Sequence, residues 1–183
     1  MRKSVTNWNR SPRGTMVKMA SIHLIVGYMG FGKTFLAHRL QRELPAVRLT
    51  HDELMRKLYG RDLPENEFRH AWTRVDELIW QLAEQVAAAG VDVVLDYGFW
   101  SREARRRAYE RARNLTEDVV FHQLRCDREA ALARVLARNA EDDDSLLIDR
   151  ACFERFWPQY EEISSAENYP VVKFYDTNLW GKK

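Results

Sequence analysis

From residue 22 onward, two hydrophobic periods alternate along the chain. Apolar runs of strand length at 22–26, 46–50, 91–97, 118–126 and 170–175 are separated by stretches whose apolar residues recur every three or four positions. The helical stretches are 33–44, 53–59, 65–89, 101–114, 127–139 and 149–163. Pro45 closes the first, because proline cannot continue a helix, and Gly60 and Gly90 are placed to end the next two. In 65–89, Phe68, Trp72, Val75, Ile79, Leu82 and Val86 make one apolar face. Short strands alternating with helices imply βαβ units, hence a parallel sheet with right-handed crossovers and helices on both sides. The predicted architecture is a three-layer α/β/α sandwich.

Size and composition narrow this little. At 183 residues the chain is one domain, large enough to bury a core without a metal or disulfide staple. No apolar run approaches the roughly 18–20 residues that span a bilayer, so no membrane role is expected. Cys126 and Cys152 have neither the number nor the spacing of a disulfide framework or zinc site and read as buried thiols in a reducing, cytoplasmic setting. Charge changes the picture only at the N-terminus. Residues 1–20 hold Arg2, Lys3, Arg10, Arg13 and Lys18 and no acid, so the rest of the chain is net negative. That segment lacks an apolar signal core and reads as a disordered basic extension, or as a start upstream of a true beginning at Met16 or Met19. The expected domain is 21–183.

The chemistry begins at Gly27-Tyr-Met-Gly30-Phe31-Gly32-Lys33-Thr34, which matches G-x-x-x-x-G-K-[ST]. A chance match arises on the order of once per hundred chains of this length, and this one lies between a predicted strand and a predicted helix, the context that phosphate binding requires. The glycines let backbone N–H groups close around phosphate oxygens at a helix N-terminus. Lys33 is expected on the β- and γ-phosphates and Thr34 on Mg²⁺, with ATP as the nucleotide.

Four further features narrow the reaction. Asp52 follows the second strand, at the end of a parallel sheet where ligands bind, as a base for an acceptor hydroxyl or as a helix N-cap. Arg56, one turn later, faces the same cleft or solvent. Asp96 ends the third strand as a Walker B aspartate, holding metal or an acceptor hydroxyl, and Tyr97 stands where hydrolytic ATPases place a glutamate. Arg134 and Arg138 share a helix face leading into a polar segment, so a lid over 134–150 would bring them to the transferring phosphate. Asp176-Thr177-Asn178, after the fifth strand, either lines the adenine site or is an ordinary turn. Phe99 and Trp100 either stack on an acceptor or belong to the core, and Arg102 or Arg105 either faces phosphate or sits on a solvated helix face.

Together the P-loop, Thr50-His51-Asp52-Glu53, Val93-Val-Leu-Asp96-Tyr-Gly-Phe-Trp-Ser-Arg102 and Arg134-x-x-x-Arg138-Asn139 resemble the zeta-toxin and chloramphenicol-phosphotransferase-like P-loop kinases. The resemblance covers about 21–178. It implies a sheet of order 2-3-1-4-5, ATP as donor, a small hydroxyl-bearing acceptor such as an antibiotic, sugar or nucleotide sugar, and Asp52 as base. His51, where many relatives have Ser, is either a second proton carrier or a buried or capping residue. Phe31, where relatives have a small residue, is expected to reshape the acceptor side. Two other readings stay open: a polynucleotide 5′-kinase, suggested by the arginines of 101–114, and a non-catalytic ATP-binding switch.

Overall fold

The computed structural model describes residues 8–10, 16–60, 63–141 and 147–180. Five strands form an all-parallel sheet: β1 (Ile22–Val26), β2 (Ala46–Thr50), β3 (Asp92–Asp96), β4 (Val119–Arg125) and β5 (Val172–Asp176). Their order is β2-β3-β1-β4-β5, the 2-3-1-4-5 arrangement expected from the sequence. β1 and β3 are buried along their whole length, which is why both read as mostly apolar runs rather than alternating ones. The helices are α1 (Lys33–Glu43), α2 (His51–Tyr59), α3 (Glu65–Ala88), α4 (Arg102–Arg113), α5 (Arg128–Glu141) and α6 (Arg150–Phe156).

Each face of the sheet carries its own core. On one, Ile22, Leu24, Val93, Leu95 and Phe121 pack against Val75, Ile79 and Ala83 of α3 and Ala108 and Ala112 of α4. On the other, Ile25, Val94 and Leu124 pack against Leu36, Ala37 and Leu40 of α1, Ala131 and Val135 of α5, and Phe153 of α6. Each fully buried Leu or Ile stabilises the fold by roughly 1.5–3 kcal/mol relative to an exposed one.

Three segments depart from the sequence-based expectation. Within the N-terminal stretch expected to lie outside the fold, Trp8–Arg10 and Met16–Lys18 pair as a two-stranded antiparallel ribbon. The helix expected over 149–163 stops at Phe156. A 3-10 turn, Trp157–Gln159, follows, because Pro158 removes a donor and the chain then runs extended. Finally, α2 begins at His51, with Thr50 as N-cap, so Asp52 lies inside the first turn and is not the cap. Of the expected lid over 134–150, residues 142–146 lie outside the described residues. On either side of them, the Asn139 amide donates to Ile148 O (2.7 Å) and accepts from Ile148 N (3.4 Å).

Candidate active site

The loop from Gly27 to Thr34 joins β1 to α1, and its shape depends on residues far from it in sequence. Gly27 N donates to Gly98 O at 3.1 Å, which ties the loop to the segment after β3. Gly30 adopts φ 75°, and a Cβ there would run into the carbonyl of Ala131 on α5, so only glycine fits. Tyr28 and Phe31 are plugs. Both are buried, Tyr28 Oη donates to Phe153 O at 2.6 Å, and Phe31 packs edge-on to Tyr160 and Trp157. The side chain of Phe31 therefore anchors the loop in the core and does not reach the acceptor side. Its contribution to the loop is its backbone.

Lys33 begins α1 and folds back, its Nζ donating to Tyr28 O at 3.0 Å. Burial lowers the affinity of its amine for a proton, the carboxylates of Asp96 and Asp52 raise it, and the positive charge of Arg138 lowers it again. These four groups therefore converge. Asp96, at the end of β3, is buried, and burial raises its pKa. Opposing that rise are the charge of Lys33, a hydrogen bond from the Thr34 hydroxyl, and Arg48. Thr34 and Asp96 thus meet. Asp52 is exposed at the start of α2 and contributes its charge to both Lys33 and Asp96. Arg138 sits one turn beyond Arg134 on α5, and its buried Nε meets no acceptor among the described residues.

Other expected site residues lie elsewhere or do other work. Arg134 is a clamp: it donates to Gly30 O (3.4 Å), Thr177 O and Trp180 O (2.9 Å), tying the phosphate loop to the segment after β5. Thr177 is fully buried and its hydroxyl donates to Arg125 O at 3.0 Å. From this segment Trp180 lies over Gly32, where a Cβ would meet its ring at 3.2 Å. Arg102 turns toward the segment after α6, with Nη2 on Ser164 Oγ (2.9 Å) and its backbone N on Glu161 (2.8 Å). Phe99 and Trp100 part ways. Phe99 stacks on Tyr97 (5.0 Å, 6°), on the α3 face, whereas Trp100 packs on Tyr28 (4.9 Å), in the core of the other face. Arg56 is half-buried one turn after Asp52. His51 is buried, its Nε2 3.1 Å from Trp72 O, and burial pushes its pKa down.

Sequence reasoning missed two arginines. Arg48, on β2, reaches Asp96 (3.4 Å), Glu53 (2.6 Å) and the Thr50 hydroxyl, and so links the first turn of α2 to the aspartate of β3. Its signal was its register: Arg48 and Thr50 lie on one face of β2, and Thr50 is the parallel partner of Asp96. Arg105, weighed only as a phosphate or surface residue, is fully buried. It donates to Phe99 O (3.1 Å), Trp100 O (3.0 Å) and Glu161 O (2.7 Å) and forms a two-pronged pair with Glu167. It fixes the turn that follows Asp96.

A parallel sheet of this order, with a glycine-rich loop after β1, is the P-loop kinase fold, and the chain belongs to an AAA domain family whose model matches residues 22–163. Among solved structures it is similar to a candidate kinase from Chloroflexus aurantiacus, at TM-score 0.69 and 14% identity over 88% of this chain and 87% of that one. It is also similar to Kti12 of Chaetomium thermophilum, solved in complex with ADP-AlF3, at TM-score 0.64 and 19% identity over 88% and 90%. A sugar kinase from Janibacter sp. aligns at TM-score 0.56 and 17% identity over 86% and 85%. No curated protein sequence matches the chain. Among the described residues, no helix is long and apolar enough to cross a membrane.

Proposed function

We propose that the protein is an ATP-dependent phosphotransferase acting on a hydroxyl of a small molecule, as in the zeta-toxin and chloramphenicol-phosphotransferase-like kinases that it resembles. The observation that carries this reading is the convergence of Lys33, Arg138, Asp96 with Thr34, and Asp52 at the mouth of the phosphate loop. The fit to a nucleotide rests on the buried Nε of Arg138, which meets no acceptor among the described residues and lies beside a second cation, and on loop glycines where a side chain would collide.

When bound, ATP would supply the phosphoryl group and Mg²⁺ would neutralise its charge. Thr34 and Asp96 are the residues that would hold the metal, directly or through water. Lys33 and Arg138 set positive charge where the transferring group gains negative charge. Asp52 accepts the proton of the acceptor hydroxyl as its oxygen bonds to phosphorus, and the bond to the leaving ADP breaks. The arginines of α4 support a small acceptor over a polynucleotide: Arg106 pairs with Glu103 and Glu110, Arg111 with Asp76, and Arg113 with Glu117 O. None of these forms an open strip for a phosphate backbone.

The test is ADP release from ATP-Mg²⁺ with antibiotics, sugars, nucleotide sugars and 5′-hydroxyl oligonucleotides as acceptors. Acceptor-stimulated release that is lost in Lys33→Ala and Asp52→Asn is expected. Release stimulated only by oligonucleotides, and falling steeply with salt, would favour the polynucleotide reading. Tight ATP binding with no stimulation would favour a switch.

A further inference from the structure

The helix that carries Asp52 starts without the usual restraint. Thr50, its N-cap, makes no side-chain bond to the backbone of α2, although a threonine at that position commonly accepts from an amide of the first turn. Its hydroxyl accepts instead from Nη1 of Arg48. β2, which leads into α2, is the outer strand of the sheet and pairs on one side only, with β3. The chain thus reaches Asp52 from an edge strand, through a helix end that its own cap residue does not hold.

Arg48 supplies the missing tie. Its side chain is 9% exposed, so the guanidinium lies largely out of water. Nη2 donates to Glu53 Oε1 at 2.6 Å, and Nη1 reaches Asp96 Oδ2 at 3.4 Å. One planar group spans the first turn of α2 and the end of β3, a fork that a point charge does not reproduce. Holding Glu53 has a consequence for its neighbour. With about 3.6 residues per turn, successive side chains of a helix project about 100° apart, so pinning Glu53 fixes the direction in which Asp52 points. Of these two adjacent carboxylates, Glu53 is held by a cation. Asp52 stands exposed and acts through its charge on Lys33 and Asp96.

We infer that Arg48 is a positioning residue for the transfer: by bridging Glu53 and Asp96 it sets the rotation of the first turn of α2, and so presents Asp52, not Glu53, to the acceptor hydroxyl. This inference rests on the kinase reading above.

The test follows turnover with the acceptors of the ADP-release assay and, on the same proteins, amide hydrogen exchange. Arg48→Met removes the bridge. Glu53→Ala cuts only its α2 end, at a residue whose side chain is 42% exposed, and so serves if Arg48→Met fails to fold. Both should lower kcat by about 10–100-fold while KM for ATP stays within about twofold. In an Asp52→Asn background the same substitutions should cost less than about twofold more, because Arg48 acts through Asp52. The amides of Met55, Arg56 and Lys57, which bond back to the first turn, should exchange about tenfold faster in both variants, with α1 unchanged. Unchanged kcat or unchanged exchange in Glu53→Ala, or losses that add in full to that of Asp52→Asn, overturns the inference. If the wild type phosphorylates no acceptor, the kinase reading falls, and exchange in α2 still decides whether Arg48 sets the turn.

Discussion

Helices α4 and α5 are both supplied with arginine and use it in opposite ways. On α4 the protein satisfies its own cations. Arg105 is wrapped by three carbonyls and Glu167, Arg106 lies between two glutamates, and Arg111 pairs with Asp76 and covers the ring of Trp80. On α5, Arg134 is satisfied in the same manner, but one turn later Arg138 keeps a buried donor with no acceptor among the described residues, beside Lys33. A guanidinium whose donors meet protein acceptors holds structure together. One with a buried donor left over next to another cation is suited to an anion that arrives from outside.

Substitutions should separate the two kinds sharply. The largest effect on folding is expected at Arg105. Arg105→Met leaves the Glu167 carboxylate buried without its partner and should cost about 3–5 kcal/mol in denaturant unfolding. Arg138→Ala should do the reverse, leaving the unfolding midpoint unchanged and lowering acceptor-dependent turnover by about 10²–10³-fold. A loss of stability at Arg138 with turnover intact would erase the distinction.

The Arg105–Glu167 pair also has a pH signature. Burial would raise the pKa of the Glu167 carboxyl, but hydrogen bonds and charge from Arg105 outweigh burial and hold it below the ordinary 4.5. The unfolded chain takes up that proton near 4.5, the folded chain only at lower pH. The pair's stabilisation is therefore complete above 4.5 and is lost as pH falls below it. Melting curves at pH steps from about 6 to about 3 should show Glu167→Gln losing less stability over that range than the wild type. The smallest effect is expected at Arg106, which is exposed with its partners. Arg106→Ala should leave both melting temperature and turnover within error.

The sheet and the phosphate loop were legible because they rest on local signals: buried strands read as apolar runs, and the loop's glycines and Lys33-Thr34 sit between a strand and a helix. The convergence of Asp52 and Asp96 followed from their places at strand ends. What the sequence hid depends on what lies opposite each residue. Arg105 looks like its solvated neighbours on α4, since nothing local says that the segment after α6 will fold over it. Phe68 and Trp72 continue a core stripe without a break, yet both are exposed. Arg134 and Arg138 are chemically the same four residues apart, and only tertiary contacts make one a clamp and leave the other open. The early end of α6 could have been read from Pro158.

The most direct test of the account follows the γ-phosphate itself. Labelled ATP-Mg²⁺ is incubated with the acceptors that stimulate ADP release, using wild type and Asp52→Asn at matched nucleotide occupancy. Label should pass to the acceptor hydroxyl in the wild type, and the rate should fall by about 10²–10⁴-fold in Asp52→Asn while ATP still binds. Transfer at an undiminished rate in Asp52→Asn, or tight ATP binding with no acceptor ever labelled, would contradict the phosphotransferase assignment.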